Sequence, residues 1–208
     1  MCTAGLDVGI VLDKSKSVKN SNLRKVLIFL DELIGKFHPA PDADHFGFIT
    51  FHNKANLVFT FSNSKYHNRD ALLAKIASEP IKLELETRTD LALIMARDEL
   101  FTQAGGDRPD KPNVMIVLTD GKPTKPKGQK NFNFKTFAKG ISKDFKVSIL
   151  NGHLFDHLTY HQTQAALSEQ TVEESFPFLY PFSAGIIHIT RTIKAIQLLL
   201  NGSKSLAA

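Results

Sequence analysis

Three short polar segments contain the residues whose types and spacing could do chemistry. Asp13, Ser15 and Ser17 alternate along one stretch, Thr87 lies in a polar turn ahead of an apolar segment, and Asp120 stands in a Thr-Asp-Gly sequence. Together they offer two carboxylates and three hydroxyls, with no thiol or imidazole among them. Hard oxygen donors of this kind suit Mg²⁺, or Mn²⁺ in its place, and leave room for water and for one outside ligand. The sequence therefore predicts a divalent cation site.

Alternating strands and helices would place these segments together. Apolar runs predict buried strands over 7–12, 46–51, 114–118 and 147–150, and a more alternating run predicts an antiparallel edge strand over 55–61. Apolar residues at helical spacing predict helices over 18–37, 68–78, 89–101 and 132–145, followed by a helix over 155–168, a strand over 176–182 and a helix over 187–200. This alternation predicts an α/β fold: a doubly wound, mostly parallel, Rossmann-like sheet with one antiparallel edge strand and helices on both faces. Ligands bind such sheets beyond the carboxyl ends of the strands, where the polar segments fall.

Composition limits the class of protein. The 208 residues are 42% hydrophobic and 23% charged, which excludes a disordered tail, a collagen and a coiled coil. We find no run of 18 apolar residues, so we expect no membrane span in this chain. The single cysteine, Cys2, excludes an internal disulfide framework; it is either bonded to something outside the chain or a free thiol. With no repeat and no low-complexity linker, we expect one domain over 1–208.

The order of the polar segments resembles a von Willebrand factor A domain with its metal-ion-dependent adhesion site. The resemblance rests on Asp-x-Ser-x-Ser, then a threonine ahead of a helix, then Thr-Asp-Gly after a central strand, and it covers about residues 6–182. Segments 46–51 and 112–121 match the second and fourth strands of that family.

The resemblance implies a role for each residue of the site. Both serines would bind the ion directly, the threonine would bind it directly in the ligand-bound state, and the aspartates would act directly or through water. A Glu or Asp carboxylate of a protein partner, such as a matrix protein, would complete the coordination without any bond being made or broken. The implied function is a binding module in adhesion or extracellular matrix assembly, not an enzyme. The positions are Asp13, Ser15, Ser17, Thr87 and Asp120.

Some residues depart from the family pattern. Lys14 and Lys16 stand where glycine is often found, and Glu86 replaces a common glycine just before Thr87. Two ammonium groups beside a cation would weaken its binding unless they point outward, and Glu86 would either offset them or intrude on the site. After Leu150 the match fades.

The positive charge is concentrated in one segment. From Lys122 to Lys146 the chain has eight lysines and one acid, Asp144, so this segment has a net charge of +7. The net charge of the whole chain is +5, so the remaining residues together carry −2. The segment would form either a basic rim for an acidic protein or a sulfated glycan, or a solvated loop that keeps the protein in solution. No recognition-helix motif accompanies it and the nearby phenylalanines have core spacing, so we expect no nucleic acid partner. The candidate rim residues are Lys122, Lys125, Lys127 and Lys130.

Three histidines recur at a spacing of four residues. His153, His157 and His161 would share one face of a helix, where such pairs can bind zinc. Because no glutamate base or cysteine ligand accompanies them, a polar helix face is the competing interpretation.

Two other functions compete with an adhesion module. An intracellular A-domain scaffold is favoured by the absence of paired cysteines and of a predicted signal peptide, since a strand follows Met1 within a few residues. A Mg²⁺-dependent hydrolase would use Asp13 and Asp120, but the sequence shows no glycine-rich phosphate loop and no nucleophile beside a base. The stretch from Gly105 to Gly121 is more typical of extracellular members of the family, so we expect an extracellular or secreted protein, with the cytoplasm as the alternative.

Overall fold

In the part of the chain that the structure describes, five strands form one sheet. The computed structural model describes residues 5–16, 18, 20–80, 84–119, 123–141 and 146–151. The strands are β1 (Asp7–Asp13), β2 (His45–Phe51), β3 (Ala55–Phe59), β4 (Asn113–Thr119) and β5 (Lys146–Asn151). Their spatial order is β3-β2-β1-β4-β5, with every neighbour pair parallel except the β2–β3 hairpin. The predicted doubly wound sheet with an antiparallel edge strand is therefore confirmed.

Helices connect the strands close to the predicted positions. They are α1 (Asn20–Ile34), α2 (Arg69–Ser78), α3 (Thr89–Met95) and α4 (Phe134–Ile141), with a short 3₁₀ turn over Ser64–Tyr66. The α2 helix begins where it does because the Asn68 side chain accepts hydrogen bonds from the backbone N–H groups of Asp70 and Ala71. The predicted elements over 155–168, 176–182 and 187–200, with Cys2 and the three spaced histidines, lie outside the described residues.

Side chains from alternate positions of the strands pack into two layers, one on each face of the sheet. One layer combines Val11, Ile49 and Met115 with residues of α3 and α4. The opposite layer includes Phe46, whose ring meets that of Phe37, just beyond α1, with centroids 5.5 Å apart. This arrangement follows from the near-continuous apolar runs of the central strands, which are buried on both sides.

The helix predicted over 89–101 changes character in its second half. After α3 the chain continues as a π-helical turn, Ala96–Leu100, closed by a bond from the Phe101 N–H to the Ala96 carbonyl. This turn presses Leu100 and Phe101 against the sheet at two glycines. A Cβ atom on Gly9 would lie 2.8 Å from the Phe101 ring, and one on Gly47 would lie 2.3 Å from Leu100. Both glycines therefore permit the close approach of this segment to β1 and β2.

The strand order creates a switch point at the centre of the sheet. From β1 the chain winds outward through β2 to β3, then returns to the other side of β1 as β4. The carboxyl ends of β1 and β4 are aligned, with Leu12 opposite Leu118. A crevice at such a point is where doubly wound sheets bind ligands. Within the described residues, no helix is both long enough and apolar enough to cross a membrane.

Candidate metal centre

Asp13 anchors the centre of the site. It is the last residue of β1 and is fully buried. One carboxylate oxygen accepts a hydrogen bond from the Ser15 N–H (2.8 Å), and the other accepts one from the Thr119 hydroxyl (2.5 Å) at the end of β4. Because these bonds reach both carboxylate oxygens, they fix the orientation of the group.

The loop after β1 is fixed at several points. The Lys14 N–H donates to the Phe51 carbonyl (2.7 Å), and the Lys16 N–H donates to the Glu84 carbonyl (2.6 Å). Ser15 lies between them, is 1% exposed, and forms an isolated parallel bridge with Glu84. The loop is thereby joined to the segment that leads to Thr87.

Thr87 is joined in turn to the loop after β4. Its N–H donates to the Thr124 hydroxyl (3.0 Å), and the Thr124 N–H donates back to the Thr87 carbonyl (2.8 Å). The neighbouring Arg88 N–H donates to the His52 carbonyl (2.8 Å). The Thr87 residue itself is buried, at the start of α3.

These bonds bring the predicted polar segments to one edge of the sheet. The segments of Asp13, Ser15 and Thr87 are linked by successive contacts. The loop after β1 bridges to Glu84, and Thr87, three residues later, pairs with Thr124. Ser17, Asp120 and Lys122 fall outside the described residues. The metal-binding role of all five site residues stays a prediction.

The described donors fit a hard cation. They are one carboxylate and two hydroxyls, and the described ranges contain no cluster of three or more His, Cys, Asp or Glu side chains that could replace them as a metal site. Beside them, the Thr89 hydroxyl in the first turn of α3 is buried and, within the part of the chain the structure describes, has no hydrogen-bond partner. An unpaired buried hydroxyl is costly to the fold.

The two lysines that depart from the family pattern differ in their exposure to solvent. Lys16 is exposed, whereas Lys14 is 5% exposed.

Arg88 forms a two-point ion pair with Asp90, with nitrogen–oxygen distances of 2.9 and 2.7 Å. This hydrogen bonding raises the pKa of the Arg88 guanidinium, and the charge of Glu86 acts in the same direction. The arginine beside Thr87 is therefore already occupied by a carboxylate of its own chain.

Sequence reasoning missed two threonines that build the site. Thr119 belongs to the Thr-Asp-Gly sequence, but its hydroxyl had no assigned role; the structure uses it to orient Asp13. Thr124 carried no signal at all, since its importance comes from pairing with a residue 37 positions away.

The chain is similar to known proteins over most of its length. Residues 7–156 match the family model of the von Willebrand factor type A domain. Over 152 residues the chain is 29% identical to von Willebrand factor A domain-containing protein 1 of Mus musculus, covering 73% of this chain and 35% of that protein. It is 26% identical to matrilin-3 of Gallus gallus over 177 residues, covering 80% of this chain and 38% of that protein. The chain thus spans little more than a third of each of these relatives.

Solved structures share the fold. Proximal thread matrix protein 1 from the mussel byssus, with a zinc-occupied metal-ion-dependent adhesion site, superposes with a TM-score of 0.58 at 19% identity, covering 72% of this chain and 38% of that one. The manganese-loaded TRAP protein of Plasmodium vivax gives 0.60 at 16% identity, covering 76% of this chain and 63% of that one. The family match extends over most of the sequence, and the chain belongs to the von Willebrand factor type A domain family.

Proposed function

We propose that this domain is a binding module that bridges to an acidic residue of a protein partner through a divalent cation. Asp13, Ser15 and Thr87 would hold Mg²⁺ or Mn²⁺, together with Ser17 and Asp120. When bound, the ion supplies a positive charge with a coordination position for the partner's Glu or Asp carboxylate. The observation that carries this proposal is the chain of hydrogen bonds that joins the segments of Asp13, Ser15 and Thr87 at the switch point.

The surroundings favour a protein partner. Leu85, two residues before Thr87, is 82% exposed, the most exposed of the large hydrophobic side chains in the described residues. An apolar side chain in that position would be covered by a partner that reaches the site, and such contacts form the centres of protein interfaces. The Arg88 guanidinium is already paired with Asp90, so it does not compete with the ion for the partner's carboxylate.

The biological setting proposed is adhesion or matrix assembly outside the cell. Support comes from the family membership and from the name of a structural neighbour, a thread matrix protein of the mussel byssus. A role without bond-making chemistry is part of the same proposal, because Asp13, Ser15 and Thr87 are of the residue types that serve as hard oxygen ligands for an ion.

Thermal unfolding in the presence of different ions tests the cation site. The protein has no tryptophan, so calorimetry or circular dichroism is the suitable method. An ion that binds only the folded state stabilises it by about 2.7 kcal/mol at a hundred times its Kd. For a domain of this size that corresponds to a rise of about 5–10 °C in Tm. We expect this rise with Mg²⁺ or Mn²⁺ in place of EDTA.

The variant Thr87→Val removes one proposed ligand and keeps the shape of the side chain. We expect it to unfold in EDTA within about 1 kcal/mol of wild type, and to lose most of the rise in Tm. The matched control is Thr60→Val, which lies beyond β3 at the opposite edge and hydrogen-bonds only Ser62 through its hydroxyl among the described residues. Asp120→Ala should behave like Thr87→Val. A Thr87→Val protein that responds to Mg²⁺ as strongly as wild type would contradict the assigned site.

Panning a phage-displayed peptide library tests the partner chemistry. Phage bound in Mg²⁺ and released by EDTA should be enriched in peptides with glutamate or aspartate. Enrichment of peptides without acidic residues, or release that is insensitive to EDTA, would contradict the carboxylate bridge.

A further inference from the structure

The loop between β4 and α4 is strongly basic. We use the name lysine loop for its described residues 123–133, which contain Lys125, Lys127 and Lys130. The described stretch 123–141 as a whole has five lysines and no aspartate or glutamate. No acid of the same stretch can therefore neutralise these ammonium groups, and the loop carries a local positive potential.

The lysine loop has a defined conformation. Two turns close it, from the Gln129 N–H to the Pro126 carbonyl (3.1 Å) and from the Phe132 N–H to the Gln129 carbonyl (3.0 Å). The Lys125 ammonium donates across the loop to the Lys130 carbonyl (2.9 Å). At its start, Thr124 is fixed to Thr87 by the paired hydrogen bonds of the metal centre. A charged ligand would therefore meet a largely ordered surface and lose little binding energy to ordering the backbone.

The tip of the loop offers polar groups alone. Residues Lys127 to Asn131 are all exposed, and they are two lysines, a glycine, a glutamine and an asparagine. Gly128 has a φ of +79°, and a Cβ atom there would meet nothing within 4 Å, so the turn projects outward. Protein interfaces need an apolar core, which this tip does not provide. Charge and hydrogen-bonding groups without apolar area suit a linear polyanion that lies along the surface.

We propose that the lysine loop binds a sulfated glycan, through Lys127 and Lys130 at its tip and Lys125 beside them. The ammonium groups act as point charges for sulfate, and Gln129 and Asn131 supply neutral hydrogen bonds between them. A nucleic acid fits less well, because single strands gain much of their affinity from stacking on aromatic side chains and the exposed tip has none. This binding does not use the cation, so it is separate from the proposed carboxylate bridge.

Heparin oligosaccharide binding, measured by calorimetry between 50 and 200 mM salt in EDTA, tests the proposal. The variant K127Q/K130Q removes two exposed charges and leaves the Lys125 contact in place. Each lost contact to a polyanion lowers the dependence of log K on log salt by about one. We expect the slope to fall by about two and the affinity at 100 mM salt to fall about tenfold or more.

The control variant K36Q/K65Q removes the same charge from two exposed lysines outside the loop. It should keep the wild-type slope, and wild type should bind heparin equally in EDTA and in Mg²⁺. An oligo-dT strand of matched charge should bind about tenfold more weakly than heparin. Equal losses in the two variants, equal binding of heparin and oligo-dT, or no measurable heparin binding by wild type would each overturn the proposal. Because the assay contains EDTA, its result is independent of whether the cation site exists.

Discussion

The two edges of the sheet contain similar types of polar residue, but these residues have different roles. At the amino edge of β1 and β2, carboxylates and imidazoles are paired with groups of the same chain. At the carboxyl edge of β1 and β4, a carboxylate is held in place by its neighbours while the nearby Thr89 hydroxyl, among the described residues, has no partner. The comparison teaches that the amino edge uses its buried carboxylates for contacts within the fold, whereas the carboxyl edge orients a carboxylate at the proposed ion site.

The amino edge is closed by a long-range ion pair. Asp7 is fully buried and accepts hydrogen bonds from the Arg108 backbone N–H (2.7 Å) and guanidinium Nε (2.9 Å). The same guanidinium donates to the Leu6 carbonyl (2.9 Å). Asp107 and Asn113 each keep one buried side-chain oxygen without a partner among the described residues, so this edge also contains buried polar atoms whose hydrogen bonds are not closed.

Two histidines and another aspartate complete the amino edge. The rings of His45 and His67 stack with centroids 3.7 Å apart, and their Nε2 atoms contact the carbonyls of Pro41 (3.0 Å) and Phe61 (2.7 Å). Asp44 accepts bonds from two backbone N–H groups, yet burial raises its pKa above the ordinary value. His45, His67 and Asp44 are all bonded within the chain, so we assign them to the stability of the fold.

The largest effect should come from opening the amino edge. Asp7→Asn leaves the buried part of Arg108 without its counter-charge, and breaking such a pair costs about 3–5 kcal/mol. Chemical denaturation should show this loss of unfolding free energy, while the rise in Tm caused by Mg²⁺ should be unchanged. Asp110→Asn is the control, because Asp110 forms an exposed pair with Lys111 that solvent screens and that should contribute little to stability. An equal response of the two variants would contradict the division between the edges.

A smaller effect on stability, with a larger effect on the ion, should come from Thr119→Val. This change removes the hydroxyl that donates to Asp13, a bond to a charged group worth about 1.5–3 kcal/mol. Unlike Asp7→Asn, it should also reduce the rise in Tm caused by Mg²⁺ or Mn²⁺, since Asp13 loses its fixed orientation. Denaturation curves with and without ion measure both quantities. A variant that loses stability but keeps the full ion response would show that Thr119 serves the fold alone.

The smallest effect should appear as a dependence of stability on pH. Burial, followed by the charges of Arg108 and His67, lowers the pKa of His45 below its ordinary value of 6.5, while the contact with the Pro41 carbonyl and the charge of Asp7 oppose this. At pH values above 6.5 the His45 ring is neutral, and its contribution to the free energy of unfolding is fully present. As the pH falls below 6.5, the unfolded chain takes up a proton at His45 that the folded chain resists, so stability is lost toward the folded pKa.

His45→Phe isolates this contribution. It keeps a ring for stacking and removes the titration, so the free energy of unfolding should fall less between pH 7.5 and pH 5.5 than in wild type. The difference between the two proteins cancels the contribution of Asp44, whose raised pKa acts in the opposite direction. A wild-type curve parallel to that of His45→Phe would exclude His45 as the source.

The sequence predicted the sheet better than it predicted the helices. Strand β4 was expected over 114–118 and covers Asn113–Thr119, because a run of apolar residues buried on both faces has few other conformations. The helix expected over 89–101 is helical to Leu100, but its second half is a π-helical turn, which the sequence did not indicate. Its cause is tertiary: Leu100 packs where Gly9 and Gly47 leave space, and no local pattern records that.

In the candidate site, too, some residues could be predicted from the sequence and others depend on the assembled fold. Residue types and order predicted Asp13, Ser15 and Thr87 as metal ligands, and that role stays a prediction; hydrogen bonds and a strand bridge link their segments. The residues that hold them, Thr119 and Thr124, act across separations of 106 and 37 positions. Threonines are common, and pairings at such distance depend on the assembled sheet, so sequence reasoning had no means of singling them out.

The separation between Asp13 and Thr119 also has a kinetic consequence. A chain emerging from the ribosome cannot form the contact until β4 has been synthesised and has docked beside β1, after β2 and β3 already exist. Contacts between residues so far apart in sequence are characteristic of slow-folding topologies. Any ligand that needs both strand ends would then find its site only late on the folding route. We expect such a ligand to prolong the lifetime of the folded protein by slowing unfolding, with little influence on the rate of folding.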